Sequence, residues 1–330
     1  MGIKNLAAHL RKTAPHVFRD VPELASFCAG KRLVMDVSVF MYKFAYFKDE
    51  ADVTGEFLGA FLKQHENLCK AGAASVVYVF DGGNAATGVK KAELDKRRER
   101  RIKTLADVTQ KIAGLESAAA TSAVAQEDVF MAEDDANTSS SSRILARGEE
   151  LVTAIQKQKR RVLHVPGWYY ATLRELLALN SVAWVNAVGE AEKCMAWMCT
   201  QGHADVAVTE DIDALVCGAP VVLRGLGMAG VHAQASLHEM RLSDVLEALQ
   251  LSSLPELVDF GILCGCDFSC TLPKIGPVNA LKLVHAWHSI ERIMENNAEA
   301  RSALDLVKDN FTYVAARDAF LSAEPQCLSV

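Results

Sequence analysis

The chain has 330 residues and a formal net charge of −6, from 41 acidic and 35 basic residues. Half of the residues are apolar and 23% are charged, which is the balance of a globular protein with a sizeable core. No apolar run reaches the ~18 residues that a membrane-spanning helix needs, and no basic-then-apolar secretory pattern opens the chain. These properties argue against a membrane protein and a uniformly basic surface, and we expect a soluble intracellular protein.

Short runs rich in β-branched residues alternate with helical patterns along the chain. Strands are predicted at Arg32–Val37, Val76–Asp81, Val162–Val165, Val182–Ala187, Asp205–Thr209 and Pro220–Leu226. Helices are predicted at Phe57–Ala71, Tyr169–Leu179 and Ala191–Thr200. This alternation predicts an α/β fold with a mostly parallel central sheet flanked by helices.

Basic residues are concentrated in one part of this acidic chain. Between Lys90 and Lys103 there are eight Lys or Arg residues against three acids. A second basic cluster covers residues 157–161, and between the two clusters residues 118–142 are rich in Ala, Ser, Thr and acids. That intervening segment can bury little apolar surface, so we expect it to be mobile. The basic clusters fit either a solvated charged helix or a local phosphate-binding surface.

Seven carboxylates lie where predicted strands or hairpins end: Asp36, Asp81, Glu190, Glu192, Asp211, Asp213 and Asp267. Taken singly, each could be a turn or helix-capping residue. Ligands bind beyond the carboxyl ends of parallel strands, so one crevice could collect these acids. Packed like charges repel unless cations neutralise them, and Mg²⁺ prefers oxygen ligands. The pattern predicts a two-metal centre for phosphodiester hydrolysis, with the first four acids forming one group and the last three the other.

A loop rich in helix-breaking residues, Gly265–Pro277, separates two apolar helical patterns. Gly276 followed by Pro277 starts the second helix and leaves backbone N–H groups free to bind phosphate. The alternative is an ordinary connection between helices. The nearby Cys264, Cys266 and Cys270 match no common zinc-binding spacing.

With these residues identified, the chain resembles the flap endonuclease / XPG family of structure-specific 5′-nucleases, and flap endonuclease most. The resemblance covers roughly residues 1–110 and 160–300. It is carried by the segments MGIKNLAAHL, VMDVSVFMY, VYVFDGG, VGEAEKCMAWM, VAVTEDIDALVCGAPVVLRGL and FGILCGCDFSCTLPKIGPVNALKLV.

The resemblance implies a domain organisation and an activity. It implies a PIN-like nuclease core in two parts (1–87 and 162–240) and a helical arch (88–161) with the insert near 118–142. A helix–three-turn–helix duplex-binding region (241–300) and a short C-terminal tail (301–330) complete the chain. The implied activity is a Mg²⁺-dependent 5′-flap endonuclease and 5′–3′ exonuclease in DNA replication or repair. Two Mg²⁺ ions are implied, for which Mn²⁺ can substitute, with K⁺ at the helix–three-turn–helix.

The family also implies roles for particular residues. Lys90 and Arg97 match basic residues that contact the scissile phosphate, where they would stabilise developing charge. Tyr42 matches an aromatic residue that stacks on a base beside the cleavage site, although FMYKFAYF also fits ordinary core packing. The other expected DNA contacts are Gly2, Arg100, Arg101, Lys274 and Gly276.

Three departures from the family concern substrate choice. The stretch from Asp81 to Glu190 is longer than usual, Lys43–Thr54 is shorter, and the C-terminal residues lack the box that binds the sliding clamp. We therefore expect a monomer that acts on branched or flapped DNA, in the nucleus or wherever DNA is replicated, without that recruitment motif.

Related activities of the same family stay open at this point: a Holliday-junction nuclease, a bubble-cutting nuclease or an RNA-cleaving relative. A non-catalytic DNA-binding scaffold is disfavoured because every expected ligand position holds Asp or Glu.

Overall fold

The computed structural model describes Ile3 and residues 5–46, 55–82, 99–100, 102–114, 117, 153, 165–226, 237–308, 310–322 and 327–328. The chain divides into two compact units, residues 1–93 with 166–330 and residues 94–165. In the second unit, residues 102–114 are helical. No helix among the described residues is long and apolar enough to cross a membrane.

The first unit is built on an eight-stranded sheet. Its strands are β1 (Arg19–Asp20), β2 (Arg32–Asp36), β3 (Ser75–Phe80), β4 (Trp184–Ala187), β5 (Val206–Val208), β6 (Val221–Arg224), β7 (His238–Arg241) and β8 (Cys327–Leu328). They lie in the order β1-β7-β6-β5-β2-β3-β4-β8. The five central strands from β6 to β4 are parallel, whereas β7, β1 and β8 join antiparallel at the edges. The predicted mixed fold with a mostly parallel sheet is confirmed.

The helices of the first unit, in chain order, are α1 (Leu6–Thr13), α2 (Leu24–Cys28), α3 (Val37–Tyr46), α4 (Gly55–Lys70), α5 (Gly167–Leu179), α6 (Ala191–Thr200), α7 (Asp213–Val216), α8 (Leu242–Ala248), α9 (Leu254–Cys264), α10 (Pro277–Trp287), α11 (Ile290–Asn296), α12 (Ala298–Asp305) and α13 (Tyr313–Leu321). The predicted helices at Phe57–Ala71, Tyr169–Leu179 and Ala191–Thr200 correspond to α4, α5 and α6.

Helices cover both faces of the parallel strands, which explains why those strands are almost continuously apolar. Alternate side chains of a strand point to opposite faces. Val34 and Val79 belong to the core that contains α6, while Phe40 and Phe44 of α3 pack with Phe61 of α4. Helix α6 contacts β2, β3, β4 and β5. Its N-terminus lies at the carboxyl ends of the central strands, because the N–H of its first residue, Ala191, donates to Asp81 directly after β3.

The C-terminal third is helical, and its helix starts are capped as their sequences predict. Ser253, Ser289 and Asn297 accept hydrogen bonds from the first turns of α9, α11 and α12. Helices α9 and α10 pack against each other on either side of the Gly265–Gly276 loop, which is the predicted helix–loop–helix arrangement.

Residues 301–330, which the sequence analysis describes as a short tail, contain folded elements. Helix α13 buries Ala316 and Phe320, and β8 extends the sheet beside β4. Apolar residues at helical spacing after residue 310 account for this, so part of the predicted tail packs with the rest of the first unit.

Two predicted segments lie partly or wholly outside the residues that the structure describes. Residues 162–164 of the predicted strand Val162–Val165 and all of residues 118–142 lie outside the described residues.

Candidate active site

Four of the predicted acids lie at the carboxyl ends of four neighbouring parallel strands. Asp36 is the last residue of β2, and Asp81 directly follows β3. Glu190 comes three residues after the end of β4, and Asp211 comes three residues after the end of β5. Because the sheet order is β5-β2-β3-β4, these acids are brought to one edge of the sheet. This is the crevice where α/β sheets usually bind ligands.

The side chain of Asp36 is almost fully buried, and two hydrogen bonds hold its carboxylate in one orientation. Its Oδ1 accepts from the backbone N–H of Val39 at 3.1 Å, at the start of α3. Its Oδ2 accepts from the Thr209 hydroxyl at 3.0 Å. By strand alternation Asp36 lies on the same face as Val34, which is the face covered by α6.

Asp81 connects β3 to the first turn of α6. Its Oδ1 accepts from the backbone N–H of Ala191 at 2.9 Å, and its Oδ2 accepts from the Ser38 hydroxyl. A carboxylate at a helix N-terminus is favoured by the helix dipole. Glu190 is the N-cap residue of α6 and Glu192 lies in its first turn, so the same helix end presents both glutamates beside Asp81.

Asp211 and Asp213 are organised by backbone hydrogen bonds around the start of α7. The Asp213 N–H donates to Asp211 Oδ1 at 3.1 Å, and the Asp211 N–H donates to the Thr209 hydroxyl at 3.1 Å. Asp213 Oδ1 accepts from the Ile3 N–H at 2.8 Å. The N-terminal segment therefore contacts the site. Gly2, a predicted DNA contact in this segment, lies outside the described residues.

The carboxylates of the site raise one another's pKa. Burial, and then the negative charge of Asp81, raise the pKa of Asp36 to about 7. Burial and the charges of Asp36 and Asp211 hold the pKa of Glu192 well above its usual range. The pKa of Asp213 is raised by burial, then by Asp211 and, more weakly, by Asp267.

These interactions join six of the seven acids into one electrostatic network. Asp211 acts on Asp36, Glu192 and Asp213, so its charge reaches members of both predicted groups. The remaining acid, Glu190, begins the helix that presents Glu192.

The donor chemistry fits hard divalent cations. Carboxylate oxygens converge here, and besides burial the charges of Asp81 and, more weakly, Asp211 raise the pKa of Asp36, so a bound cation would relieve the repulsion among these acids. Within the described ranges, no three His, Cys, Asp or Glu side chains already form a ligand set for a single ion. The residues available for such ions are therefore the converging carboxylates, acting with water, which Mg²⁺ commonly keeps in its coordination shell.

Polar residues that the sequence analysis missed support these acids. Thr209 is fully buried and bridges Asp36 and Asp211 through its hydroxyl. Ser38 donates to Asp81. Both hydroxyls lie two residues from a predicted acid in the sequence, and that spacing is the signal by which they could have been found.

A partly buried ion pair supports the loop that carries Asp211. Lys43 Nζ lies 2.6 Å from Glu210 Oε1 and donates to the Leu226 carbonyl at 3.2 Å. Glu210 Oε1 also accepts from the Gly225 N–H at 2.9 Å. These contacts connect α3, the loop after β5 and the end of β6, and the sequence contains no signal for this pairing.

Tyr42, the predicted stacking residue, lies on α3 and is 39% exposed. Its neighbours Phe40, Met41 and Phe44 are fully buried, so the helix uses those residues for the core and leaves Tyr42 at the surface. This exposure argues against ordinary core packing. A stacking role for Tyr42 remains a prediction.

The predicted phosphate-binding loop has an open helix N-terminus. Gly276 is the N-cap of α10 in an extended conformation, and no described side chain caps this helix end. A Cβ added at Gly276 would meet no atom within 4 Å, so the protein leaves space beside these N–H groups. Lys274 is exposed, with a left-handed φ of 65°, and its carbonyl accepts from Asn279 Nδ2 at 3.3 Å. The arrangement suits a phosphate contact.

The remaining predicted DNA contacts belong to the basic segment. Arg100 is exposed in the second unit, whereas Lys90, Arg97 and Arg101 lie outside the described residues.

Two domains of a known protein family match the parts of the sequence that carry this site. The XPG N-terminal domain matches residues 1–104 and the XPG I-region matches residues 181–267. Flap endonuclease 1 of Eremothecium gossypii is 30% identical over 334 residues, which cover 98% of this chain and 76% of that protein. The chain belongs to the flap endonuclease / XPG family.

All seven acids fall within the two ranges that match XPG domains. Flap endonuclease 1 of Plasmodium vivax is 28% identical, and the match covers 98% of this chain but 48% of that longer protein. Among solved structures, the catalytic core of Rad2 in complex with DNA substrate aligns with a TM-score of 0.62 at 18% identity, covering 98% of this chain and 89% of that one. The family resemblance inferred from the sequence is therefore confirmed.

Proposed function

We propose that this protein is a structure-specific 5′-flap endonuclease with 5′–3′ exonuclease activity, which hydrolyses DNA phosphodiesters during replication or repair. The observation that carries the proposal is the convergence of family-matching carboxylates at the carboxyl ends of β2, β3, β4 and β5. The flap endonuclease relatives give this site its substrate class.

The seven carboxylates are the proposed holders of two Mg²⁺ ions, for which Mn²⁺ can substitute. Such ions would activate the attacking water and neutralise charge on the scissile phosphate and leaving oxygen. The chain's own contribution is orientation. Val39 and Thr209 fix Asp36, Ala191 and Ser38 fix Asp81, and Ile3 fixes Asp213.

In the proposed function, residues outside this centre also contact DNA. Tyr42 offers an exposed ring for stacking on a base. The open N-terminus of α10, with Lys274 and Gly276, contacts duplex phosphate without reading sequence, and K⁺ is the proposed bridging ion there. Lys90 and Arg97, with Arg100 and Arg101, are the proposed phosphate contacts of the basic segment. The protein acts as a monomer at sites of DNA replication or repair, which places it in the nucleus of a nucleated cell.

A substrate panel tests the proposal. The protein is incubated with Mg²⁺ and end-labelled 5′-flap, nicked, bubble, four-way-junction and single-stranded RNA substrates. Cleavage of the 5′ flap near its junction is expected at the highest kcat/KM. Preferred cutting of the four-way junction or the bubble would assign the site to a related nuclease of the family. Cleavage of RNA with no cleavage of any DNA structure would contradict the proposal.

Asp211→Asn separates catalysis from binding. We expect loss of Mg²⁺-dependent cleavage with flap binding retained, because the change removes a charge that acts on Asp36, Glu192 and Asp213. Asp318→Asn is the matched control, since Asp318 is an exposed residue of α13 outside the carboxylate set. Unchanged cleavage by the Asp211 variant would show that the site is placed wrongly.

Arg97→Ala tests the phosphate contact predicted from the family. In single-turnover measurements the cleavage rate should fall much more than flap affinity, because a contact to developing charge acts in the transition state. Equal losses of rate and affinity would make Arg97 a general phosphate contact.

A further inference from the structure

Glu210, the residue before Asp211, is held through both its side chain and its main chain. Its Oε1 accepts from Lys43 Nζ at 2.6 Å and from the Gly225 N–H at 2.9 Å. Its main-chain carbonyl accepts from Arg224 Nη2 at 2.6 Å. That carbonyl belongs to the peptide group that joins Glu210 to Asp211. The three contacts therefore restrain the backbone from which the Asp211 side chain projects.

The donors come from two parts of the fold. Arg224 is the last residue of β6, and Gly225 follows it, so these two donors hold the loop after β5 from the sheet. Lys43 holds the same loop from helix α3, and its Nζ also donates to the Leu226 carbonyl at 3.2 Å. The side chains of Lys43 and Glu210 are 26% and 30% exposed, so solvent screens this ion pair less than a fully exposed one. The pair is thus a brace between α3 and the loop that carries Asp211.

We propose that Lys43 and Glu210 are positioning residues for Asp211, acting through the main chain of this loop. The inference rests on the proposed function, since it takes Asp211 as a metal ligand. Asp211 Oδ1 also accepts from the Asp213 N–H at 3.1 Å, so a shift of the loop would disturb both acids. Partners behind a metal ligand set its orientation, and their loss weakens metal binding.

Two other roles for Lys43 predict different results. A positive charge near a metal site repels the incoming cation, so if charge were its only influence, removing Lys43 would tighten metal binding. The brace predicts the opposite sign, weaker metal binding. Lys43 also follows the exposed Tyr42 in α3, and a direct contact of its ammonium with DNA phosphate would change substrate affinity at unchanged metal affinity.

The first test uses Lys43→Met, which keeps the apolar stem of the side chain and removes the ammonium group. Mn²⁺ binding is measured on the full chain without DNA, from the free-Mn²⁺ signal in electron paramagnetic resonance. The Mn²⁺ Kd should rise about three- to tenfold, below the roughly 10- to 100-fold typical of a direct partner of a ligand. Lys70→Met is the matched control, because it removes an exposed ion pair with Glu66 within α4 and should leave the Kd unchanged. An unchanged or lower Kd in Lys43→Met would overturn the proposal.

Two further variants at Lys43 guard against a folding defect. Thermal unfolding checks that each variant is folded, and Lys43→Gln is a second variant without the charge, for which the Kd should also rise. Lys43→Arg keeps a cation that can pair with Glu210, so its Kd should stay within about twofold of wild type. A Lys43→Arg protein that binds Mn²⁺ as weakly as Lys43→Met would show that the ion pair is not the cause.

A double-mutant cycle tests whether Lys43 acts through Glu210. In a Glu210→Gln background the brace is already broken, so adding Lys43→Met should raise the Mn²⁺ Kd no further. The same three- to tenfold rise in both backgrounds would overturn the proposed route through Glu210.

Cleavage of a labelled 5′ flap gives a second readout. In Lys43→Met the half-saturating Mg²⁺ concentration should rise by the same factor as the Mn²⁺ Kd, while KM for DNA stays within about twofold of wild type. A higher KM for DNA at unchanged metal affinity would make Lys43 a substrate contact and overturn the proposal. Because Mn²⁺ binding is measured without DNA, a wild-type protein that binds Mn²⁺ but cuts no flap would reject the proposed function and leave this inference standing.

Discussion

Thr209→Val removes the hydroxyl that joins two of the site's carboxylates while keeping the size of the side chain. Thr209 is fully buried, donates to Asp36 Oδ2 at 3.0 Å and accepts from the Asp211 N–H at 3.1 Å. A hydrogen bond to a charged group contributes about 1.5–3 kcal/mol, and a neutral one about 1 kcal/mol. We therefore expect the free energy of unfolding to fall by about 3 kcal/mol. In a domain of this size that corresponds to a Tm decrease of roughly 6 °C.

The same change should weaken metal binding. Asp36 and Asp211 both lose a partner, so the half-saturating Mg²⁺ concentration for flap cleavage should rise roughly 10- to 100-fold. The Thr209 hydrogen bond lowers the pKa of Asp36, so its loss raises that pKa further. Protons then compete better with the metal, and the defect should be larger at pH 6.5 than at pH 8.5.

The assays are thermal unfolding and Mg²⁺ titration of cleavage at both pH values. Thr200→Val is the control, because Thr200 is exposed and its hydroxyl donates to the Trp197 carbonyl of its own helix at 3.0 Å, away from the carboxylates. A Thr209→Val protein with wild-type Tm and wild-type Mg²⁺ requirement would refute the reasoning.

Three further predictions concern stability. In Gly82→Ala the new Cβ would clash with the carbonyl oxygen of Ala187 and lie 2.6 Å from that of Val188. Urea unfolding should therefore show a decrease of about 1–3 kcal/mol in the free energy of unfolding, and a wild-type value would contradict this. Arg317→Met removes two hydrogen bonds, of 2.8 and 2.7 Å, from the buried carboxylate of Asp259. Urea unfolding at pH 8 should show a decrease of about 3–5 kcal/mol in the free energy of unfolding. The decrease should be smaller at pH 5, where the unpaired Asp259 can take a proton. Because the pKa of Asp36 is raised to about 7, metal-free protein should lose stability as pH rises from about 4 through 7. Adding Mg²⁺ to protein in EDTA should therefore raise Tm more at pH 8 than at pH 5, and equal increments would contradict that assignment.

Residues around the site show how far sequence patterns reach. Runs such as Leu33–Met35 are apolar on both faces, and this local property predicts a buried parallel strand whatever its neighbours are. Asp36 and Asp81 were found because each ends such a run. For Thr209 and Ser38 the spacing of two residues from an acid is a weak signal, because the partner of a hydroxyl is set by elements far apart in the chain: 173 residues separate Thr209 from Asp36.

The edges of the sheet show the same limit. Strands β1, β7 and β8 have two to four residues each and join the sheet antiparallel, β1 and β8 to partners far away in the chain. Such short segments carry no period-2 pattern that stands out from a loop, so their strand character comes from pairing. The helix at Tyr313–Leu321, by contrast, has apolar residues at helical spacing, and this local pattern is sufficient to predict a packed helix within the segment 301–330.

The sequence by itself determined the α/β class, the strands that end in acids and the family, because these depend on local periodicity and on motifs in a fixed order. Only the tertiary structure decided that β5, β2, β3 and β4 are neighbours, which brings their acids into one charge network that raises the pKa of Asp36. It also decided which hydroxyls and backbone N–H groups hold each carboxylate. The physical reason is that coulombic and hydrogen-bond interactions act over a few ångströms, and spatial proximity of that kind is created only when the chain folds.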